Sequence, residues 1–202
     1  MNTSKAVGAL LAVVVLVAFG AAHAGQTGLP SAFNGENFEG WKLPENNIWW
    51  EAGDGILKVK NGPEKKGSTL WTEQEYASFV MEFEFKFGKG TVDSGIYVRD
   101  DREQIQIGIS GSLKRDMTAS PYISGKGYPV EAEGVKELLK LDGWNEMTIV
   151  AKGKHYSVWL NGTPVMKYAS DTAVEKGPIG IQLHGGKVMA IEYRNIGIAE
   201  LR

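Results

Sequence analysis

Residues 92–118 read VDSGIYVRDDREQIQIGISGSLKRDMT, and the alternation inside this stretch decides the fold class. SGIYVR and EQIQIG switch between apolar and polar residues with the period of two that marks a half-buried strand. Ile96 and Val98 take one face, Tyr97 and Arg99 the other. In the second run Ile105, Ile107 and Ile109 face a core and turn Gln104 and Gln106 outward. The polar DDR between the runs closes a hairpin, so Tyr97, Arg99, Gln104 and Gln106 are expected on one sheet face. An arginine, a phenol and two amides on neighbouring strands form a hydrogen-bonding surface. The following GSLKRDMT reads as a loop at the strand end carrying Lys114, Arg115 and Asp116, and loops held by a rigid sheet are common places for function.

The same period recurs along the chain. In YASFVMEFEFKFG, Phe79, Met81, Phe83, Phe85 and Phe87 alternate with Val80, Glu82, Glu84 and Lys86, the pattern of a long strand with one buried face. IWWEAGDGILKVK gives two short strands around Gly53-Asp54-Gly55, and STLWTE another. WNEMTIVAK, HYSVWL, TPVMKYA, IGIQLHG and KVMAIEYRNIGIAEL complete the set, with Asn161-Gly162 as the strongest hairpin signal. Only GVKELLK offers a turn or two of helix. Ten or more strands with almost no helix predict an all-β fold, a two-sheet antiparallel jelly-roll sandwich. In the penultimate strand Ile181 and Leu183 point inward, which places Gln182 and His184 on the opposite face.

Residues 1–24 combine Lys5, the run AVGALLAVVVLVAFGAA and Ala22-His23-Ala24, the pattern of a secretory signal peptide with an A-x-A cleavage site. Cleavage after Ala24 leaves residues 25–202 as a single domain, exported to the periplasm or secreted, with 21 basic against 24 acidic residues and a formal charge of −3. There is no cysteine, so neither disulfides nor thiolate metal sites are available. Mild acidity without a basic run argues against nucleic acid or an anionic membrane as partner. No further apolar run is long enough to span a bilayer.

Other features carry two readings. Glu82 and Glu84 on one face resemble the paired carboxylates of glycosidases, but Lys86 continues the row and a solvated outer face accounts for it better. Asn161-Gly162-Thr163 matches a glycosylation acceptor and is explained by the hairpin. No paired-histidine metal spacing exists. His184 is either a structural residue or, through its shared face with Gln182, a titrating group in a site. Either Trp49 or Trp50 could offer a ring to a sugar face, but not both, because neighbours on a strand face opposite ways. We take Trp50 as the candidate.

FNGENFEGWK (33–42), DSGIYVR (93–99), GWNEMTIVAKG (143–153), VWLNG (158–162), GPIGIQLHG (177–185) and YRNIGI (193–198) occur in this order. Together they resemble the 3-keto-disaccharide hydrolase domain family, whose fold is a concanavalin A-like sandwich. The resemblance implies a carbohydrate partner, action on sugars oxidised at C3 such as 3-keto-glucosides, and an enzyme of the glycoside-cleaving hydrolase or lyase type. The family commonly carries E-x-Q where this chain reads Gln104-Ile105-Gln106, which makes Asp116 the candidate to supply the missing carboxylate. Cleavage by elimination needs a base near C2, a cation or donor at the ketone oxygen and an acid at the leaving oxygen. Arg99 or Arg115 is the expected oxyanion partner and His184 or Asp116 the base. Tyr97, Gln104, Gln106, Lys114, Gln182 and Trp50 are the expected substrate-binding residues. Ca²⁺ or Mg²⁺ held by Asp93, Asp100, Asp101 or Asp116 could replace the arginine. The alternative from another class is a non-catalytic, lectin-like carbohydrate-binding module on the same sandwich.

Overall fold

In the computed structural model, which describes residues 28–202, the alternating segments become thirteen strands and a single helical turn. They are β1 (Trp41–Lys42), β2 (Trp50–Gly53), β3 (Ile56–Lys60), β4 (Ser68–Tyr76), β5 (Phe79–Gly90), β6 (Asp93–Val98), β7 (Glu103–Gly108) and β8 (Pro121–Ile123). After α1 (Val135–Leu138) come β9 (Asn145–Lys152), β10 (His155–Leu160), β11 (Thr163–Ala169), β12 (Gly177–Leu183) and β13 (Met189–Glu200). The expected signal segment, residues 1–24, lies outside the described residues.

All pairings are antiparallel and build two sheets. One runs β1-β4-β12-β6-β7-β8 and the other β11-β10-β9-β5-β13-β3-β2. The inward rows are those the alternation specifies. Phe79, Met81, Phe83 and Phe85 of β5 are fully buried, and across the core lie Ile96, Ile105, Ile107, Ile179, Ile181 and Leu183 of the six-stranded sheet. Burying one such side chain contributes about 1.5–3 kcal/mol, so these facing rows hold the two sheets together without a disulfide. The predicted two-sheet sandwich is therefore observed.

Turn chemistry sets the register. Leu160 pairs with Thr163 across Asn161 and Gly162, whose φ values of 50° and 79° are both left-handed, as a tight I′ hairpin requires. Gly53 pairs with Ile56 across Asp54 and Gly55, again both at positive φ. One inward row ends earlier than the sequence period implies. β7 stops at Gly108 (φ 86°), where a Cβ would sit 2.4 Å from the Val92 carbonyl oxygen. The alternation breaks there, so Ile105 and Ile107 are buried whereas Ile109 is half-exposed.

Candidate functional site

The outward face of the six-stranded sheet is assembled from rows running across its strands. Gly180, Tyr97, Gln104 and Tyr122 form one row on β12, β6, β7 and β8. Gln182, Gly95 and Gln106 form the next. Beyond them the His184 amide donates to the Asp93 carbonyl, 3.3 Å away, so these two residues begin a third row. Large and small residues interleave. A Cβ on Gly180 would come within 2.6 Å of the Trp71 ring. That space lets Trp71 reach across and stack on Tyr97, with ring centroids 5.4 Å apart and planes 17° apart. A Cβ on Gly95 would lie 3.1 Å from the Gln104 carboxamide, so the glycine is what lets that amide lie across β6.

These rows floor a cleft of about 520 Å³, lined by Tyr97, Gln104, Gln106, Lys114, Gln182 and His184 among the residues expected from sequence. Asp93, Asp101, Tyr122, Tyr128 and Lys187 join them. At one end, buried Asp93 receives Lys187 Nζ on Oδ2 at 2.7 Å and Gln106 Nε2 on Oδ1 at 2.8 Å. Gln106 Oε1 in turn accepts from Gln104 Nε2 at 2.9 Å. His184 stands at the mouth, its side chain 47% exposed and Nδ1 4.0 Å from Asp93 Oδ2. Nδ1 is 2.7 Å from the Gly185 carbonyl oxygen. A carbonyl only accepts, so Nδ1 carries the proton and, in the neutral ring, Nε2 keeps its lone pair. Toward the middle of the face, Gln182 Nε2 donates to Tyr97 Oη at 2.6 Å, which leaves the phenolic proton available to a ligand. Burial pushes the Tyr97 phenol above its ordinary range, against a smaller opposing effect from Gln182, so it remains protonated at neutral pH. Tyr122 and Tyr128 form a second aromatic pair, edge to face at 5.3 Å. Gln104 Oε1 and Gln182 Oε1 are buried with no hydrogen-bond partner among the described residues.

Four expected site residues lie elsewhere. Arg99 is 2% exposed and is not among the cleft residues. β6 ends at Val98 and Arg99 has φ 70°, which breaks the alternation and takes its side chain off the Tyr97 face. Its Nη1 donates to the carbonyls of Gly153, in the β9–β10 turn of the other sheet, at 2.9 Å, and of Val174 at 3.0 Å. Burial lowers its pKa, with Tyr156 and Glu103 opposing that. Glu103 anchors the same end, accepting from Tyr156 Oη (2.6 Å), Ser170 Oγ (2.7 Å) and Thr172 Oγ1 (2.6 Å). Arg99 is thus a stitch between sheets.

Arg115 and Asp116 also leave the cleft. Ile109 bridges Asp116, so the loop between them projects, and Lys114 at φ 59° turns to the cleft side. Arg115 is exposed and forms a two-point ion pair with Glu131, with Nη2 2.7 Å from Oε2. Asp116 accepts from the Thr118 amide at 2.8 Å and, with Glu131, lines a different groove beside Met117, Val135 and Leu139. Trp50 is core, 2% exposed in the other sheet, and its Nε1 donates to Ser68 Oγ at 2.9 Å. The aromatic that braces the cleft is Trp71.

Of the aspartates named as alternative cation ligands, Asp93 and Asp101 line the cleft and Asp100 and Asp116 do not. Asp93 is taken by Lys187 and Gln106, Asp100 by Arg102, and Asp116 by the Thr118 amide. Among the described residues no three His, Cys, Asp or Glu side chains gather into a metal-binding group. No helix among them is long and apolar enough to cross a membrane. Sequence reasoning missed Lys187 and undervalued Asp93, which it treated only as a possible metal ligand. Asp93 was discoverable, because it begins the 93-95-97 row. Lys187, in the loop after His184, carries no periodic signal.

Comparison with known proteins agrees with the observed fold. No functionally curated protein matches the chain. Among solved structures, a Parabacteroides distasonis protein provisionally described as a glycosyl hydrolase is 26% identical, with a TM-score of 0.62 over 82% of this chain and 96% of its own. A second from that organism, described likewise, is 18% identical with a TM-score of 0.63 over 85% and 93%. The Bacillus subtilis carbohydrate-binding module CBM66 shares the fold at 12% identity, with a TM-score of 0.54 over 80% and 96%. The family and the first of these relatives support a carbohydrate-related function. The model of one family matches residues 28–199, nearly the whole described chain, and the protein belongs to the 3-keto-alpha-glucoside-1,2-lyase-like domain family.

Proposed function

We propose that this protein is exported and cleaves 3-keto-glucosides by elimination across C1 and C2. The observation that carries the reading is the arrangement of the cleft. A neutral face of amides and a phenol, suited to sugar hydroxyls, ends in the Lys187–Asp93–His184 cluster. A ketone at C3 acidifies the proton on C2, because the electron pair left behind delocalises onto the ketone oxygen as an enolate. His184 Nε2 takes that proton. Lys187, held by Asp93, offers its ammonium to the enolate oxygen. The enolate then expels the C1 substituent, whose oxygen takes a proton from Tyr97 Oη as the C1–C2 double bond forms. Water addition to that double bond completes net hydrolysis. Lys187 replaces the arginines in the oxyanion role, and Gln104 and Gln182 hold ring hydroxyls.

An ordinary glycosidase needs two working carboxylates about 5–10 Å apart across the bond. Asp93 is committed to Lys187 and Gln106, which disfavours that chemistry. The test is a 3-keto-glucoside labelled with deuterium at C2, incubated with the protein in ordinary water. Elimination predicts that aglycone release and loss of deuterium to water proceed together. His184→Ala is expected to lower turnover about 10²–10⁴-fold. Lys187→Met is expected to lower it about 10²–10³-fold. Release with full retention of deuterium rejects the mechanism, and sugar binding without release leaves the lectin-like reading in its place.

A further inference from the structure

Resting on the carbohydrate reading, we infer that Asp93 fixes the direction of an amide relay, Asp93–Gln106–Gln104, that makes Gln104 Oε1 an obligate acceptor for one ligand hydroxyl. A carboxamide has a donor end and an acceptor end, and the two look alike in shape. What orients a chain of amides is a terminus that does only one of the two. Asp93 is such a terminus: paired with Lys187 as a carboxylate, it only accepts. Gln106 must therefore turn Nε2 to Asp93, at 2.8 Å, and its Oε1 the other way. Gln104 must then turn Nε2 to that oxygen, at 2.9 Å. The remaining atom, Gln104 Oε1, is left with no donor among the described residues. Both glutamines are more than nine-tenths buried, with 6% of Gln104 and 1% of Gln106 exposed. Neither is free to swing into water for a partner.

Gly95 confines the acceptor further, since the Gln104 Oε1 lies only 3.1 Å from where a Cβ at that position would stand. Gln104 nevertheless lines the cleft, so a ligand can supply the missing donor. The relay carries the sign of the Asp93 charge across two side chains to a neutral recognition point. Specificity follows from that sign. A hydroxyl that donates is accepted, whereas a hydrogen or a fluorine at the same position leaves the buried oxygen unpaired. Fluorine is the diagnostic substituent, because it is close to hydroxyl in size and never donates.

The probes are 1,5-anhydroglucitol and its 3-keto form, neither of which has a leaving group at C1, with each free hydroxyl replaced in turn by hydrogen or fluorine. Binding to the full chain is measured by calorimetry. At one ring position, hydrogen and fluorine should each weaken binding about 10–100-fold, the size of a buried acceptor left unpaired. In Asp93→Asn the new amide can donate to Gln106, both glutamines reverse, and Gln104 Nε2 faces the cleft. The fluoro penalty at that position should then shrink to a few-fold, because the hydroxyl oxygen and, more weakly, the fluorine can both accept from Nε2. Gln104→Met, which leaves Asp93 intact, should bind the hydroxyl, hydrogen and fluorine forms within a few-fold of each other.

The inference is overturned if every fluoro analogue binds the wild-type protein within twofold of its parent. It is also overturned if folded Asp93→Asn, checked by circular dichroism, keeps the full wild-type fluoro penalty, or if no member of the panel binds. Should Asp93→Asn not fold, the Gln104→Met series decides alone, and retained discrimination there overturns it. Deuterium loss from a cleavable 3-keto-glucoside is scored separately. Selective binding without that loss removes the elimination mechanism and leaves the relay standing.

Discussion

Replacing Arg99 with methionine separates the two roles this residue could have, a sheet-to-sheet stitch or an oxyanion partner. The side chain is buried and its Nη1 donates to the Gly153 and Val174 carbonyls at 2.9 and 3.0 Å. Hydrogen bonds from a charged donor are worth about 1.5–3 kcal/mol each, so the gross loss is about 3–6 kcal/mol. Part of this is returned, because Nε and Nη2 are buried without partners among the described residues and burial disfavours the charged guanidinium. Methionine keeps most of the packing volume and removes that desolvation cost. Against this, Glu103 loses a nearby positive charge but retains its three hydroxyl donors. The net destabilisation is about 2–4 kcal/mol, a Tm drop of roughly 4–16 °C for a chain of this size. Urea denaturation and a thermal scan measure it, and calorimetry with 1,5-anhydroglucitol at a temperature where the variant is folded should find an unchanged Kd. Wild-type stability combined with lost sugar binding would put the guanidinium back in the cleft and refute this reasoning.

Two tryptophans should behave oppositely. Trp50→Ala is expected to cost about 3–5 kcal/mol in urea unfolding while sugar affinity stays the same, whereas Trp71→Ala should weaken sugar binding by freeing the Tyr97 ring it stacks on. A loss of affinity in folded Trp50→Ala would contradict its placement in the core. The third concerns Glu82, half-buried on β5, whose pKa is raised first by burial and then by Glu146 on β9. An acid with a raised folded pKa is penalised when ionised, so the penalty is absent below its ordinary value of 4.5 and grows as pH rises toward the folded value. Glu82→Gln should therefore raise Tm at pH 7, by less than about 1 kcal/mol of stability given the exposure, and leave it unchanged at pH 3.5. An equal shift at both pH values would show that charge is not the cause.

Local pattern was enough to specify the strands and most of the face. The alternation of Phe79, Met81, Phe83 and Phe85 names a buried row because a strand repeats every two residues, whatever it packs against. Asn161-Gly162 names its hairpin because both residues tolerate the left-handed region that the turn demands. The same parity places Tyr97, Gln104, Gln106 and Gln182 on one face, and the rows across β12, β6 and β7 bring them together. Parity fails where a backbone dihedral leaves the strand region, and where the residue that does so is neither glycine nor asparagine its identity does not announce it. Arg99 at φ 70° is the case that mattered, and the same reasoning separates Lys114 from Arg115 and Asp116. The charged end of the cleft lay further out of reach. Asp93 and Lys187 are separated by 94 positions in the chain and meet only because β12 pairs with β6 and delivers the loop after His184 to the start of that strand. The direction of the two amides depends on that meeting. Sequence determines which side chains share a face, since that is a property of consecutive residues. Which charge orients them is a property of strand order and turn geometry, and only the tertiary structure decides it.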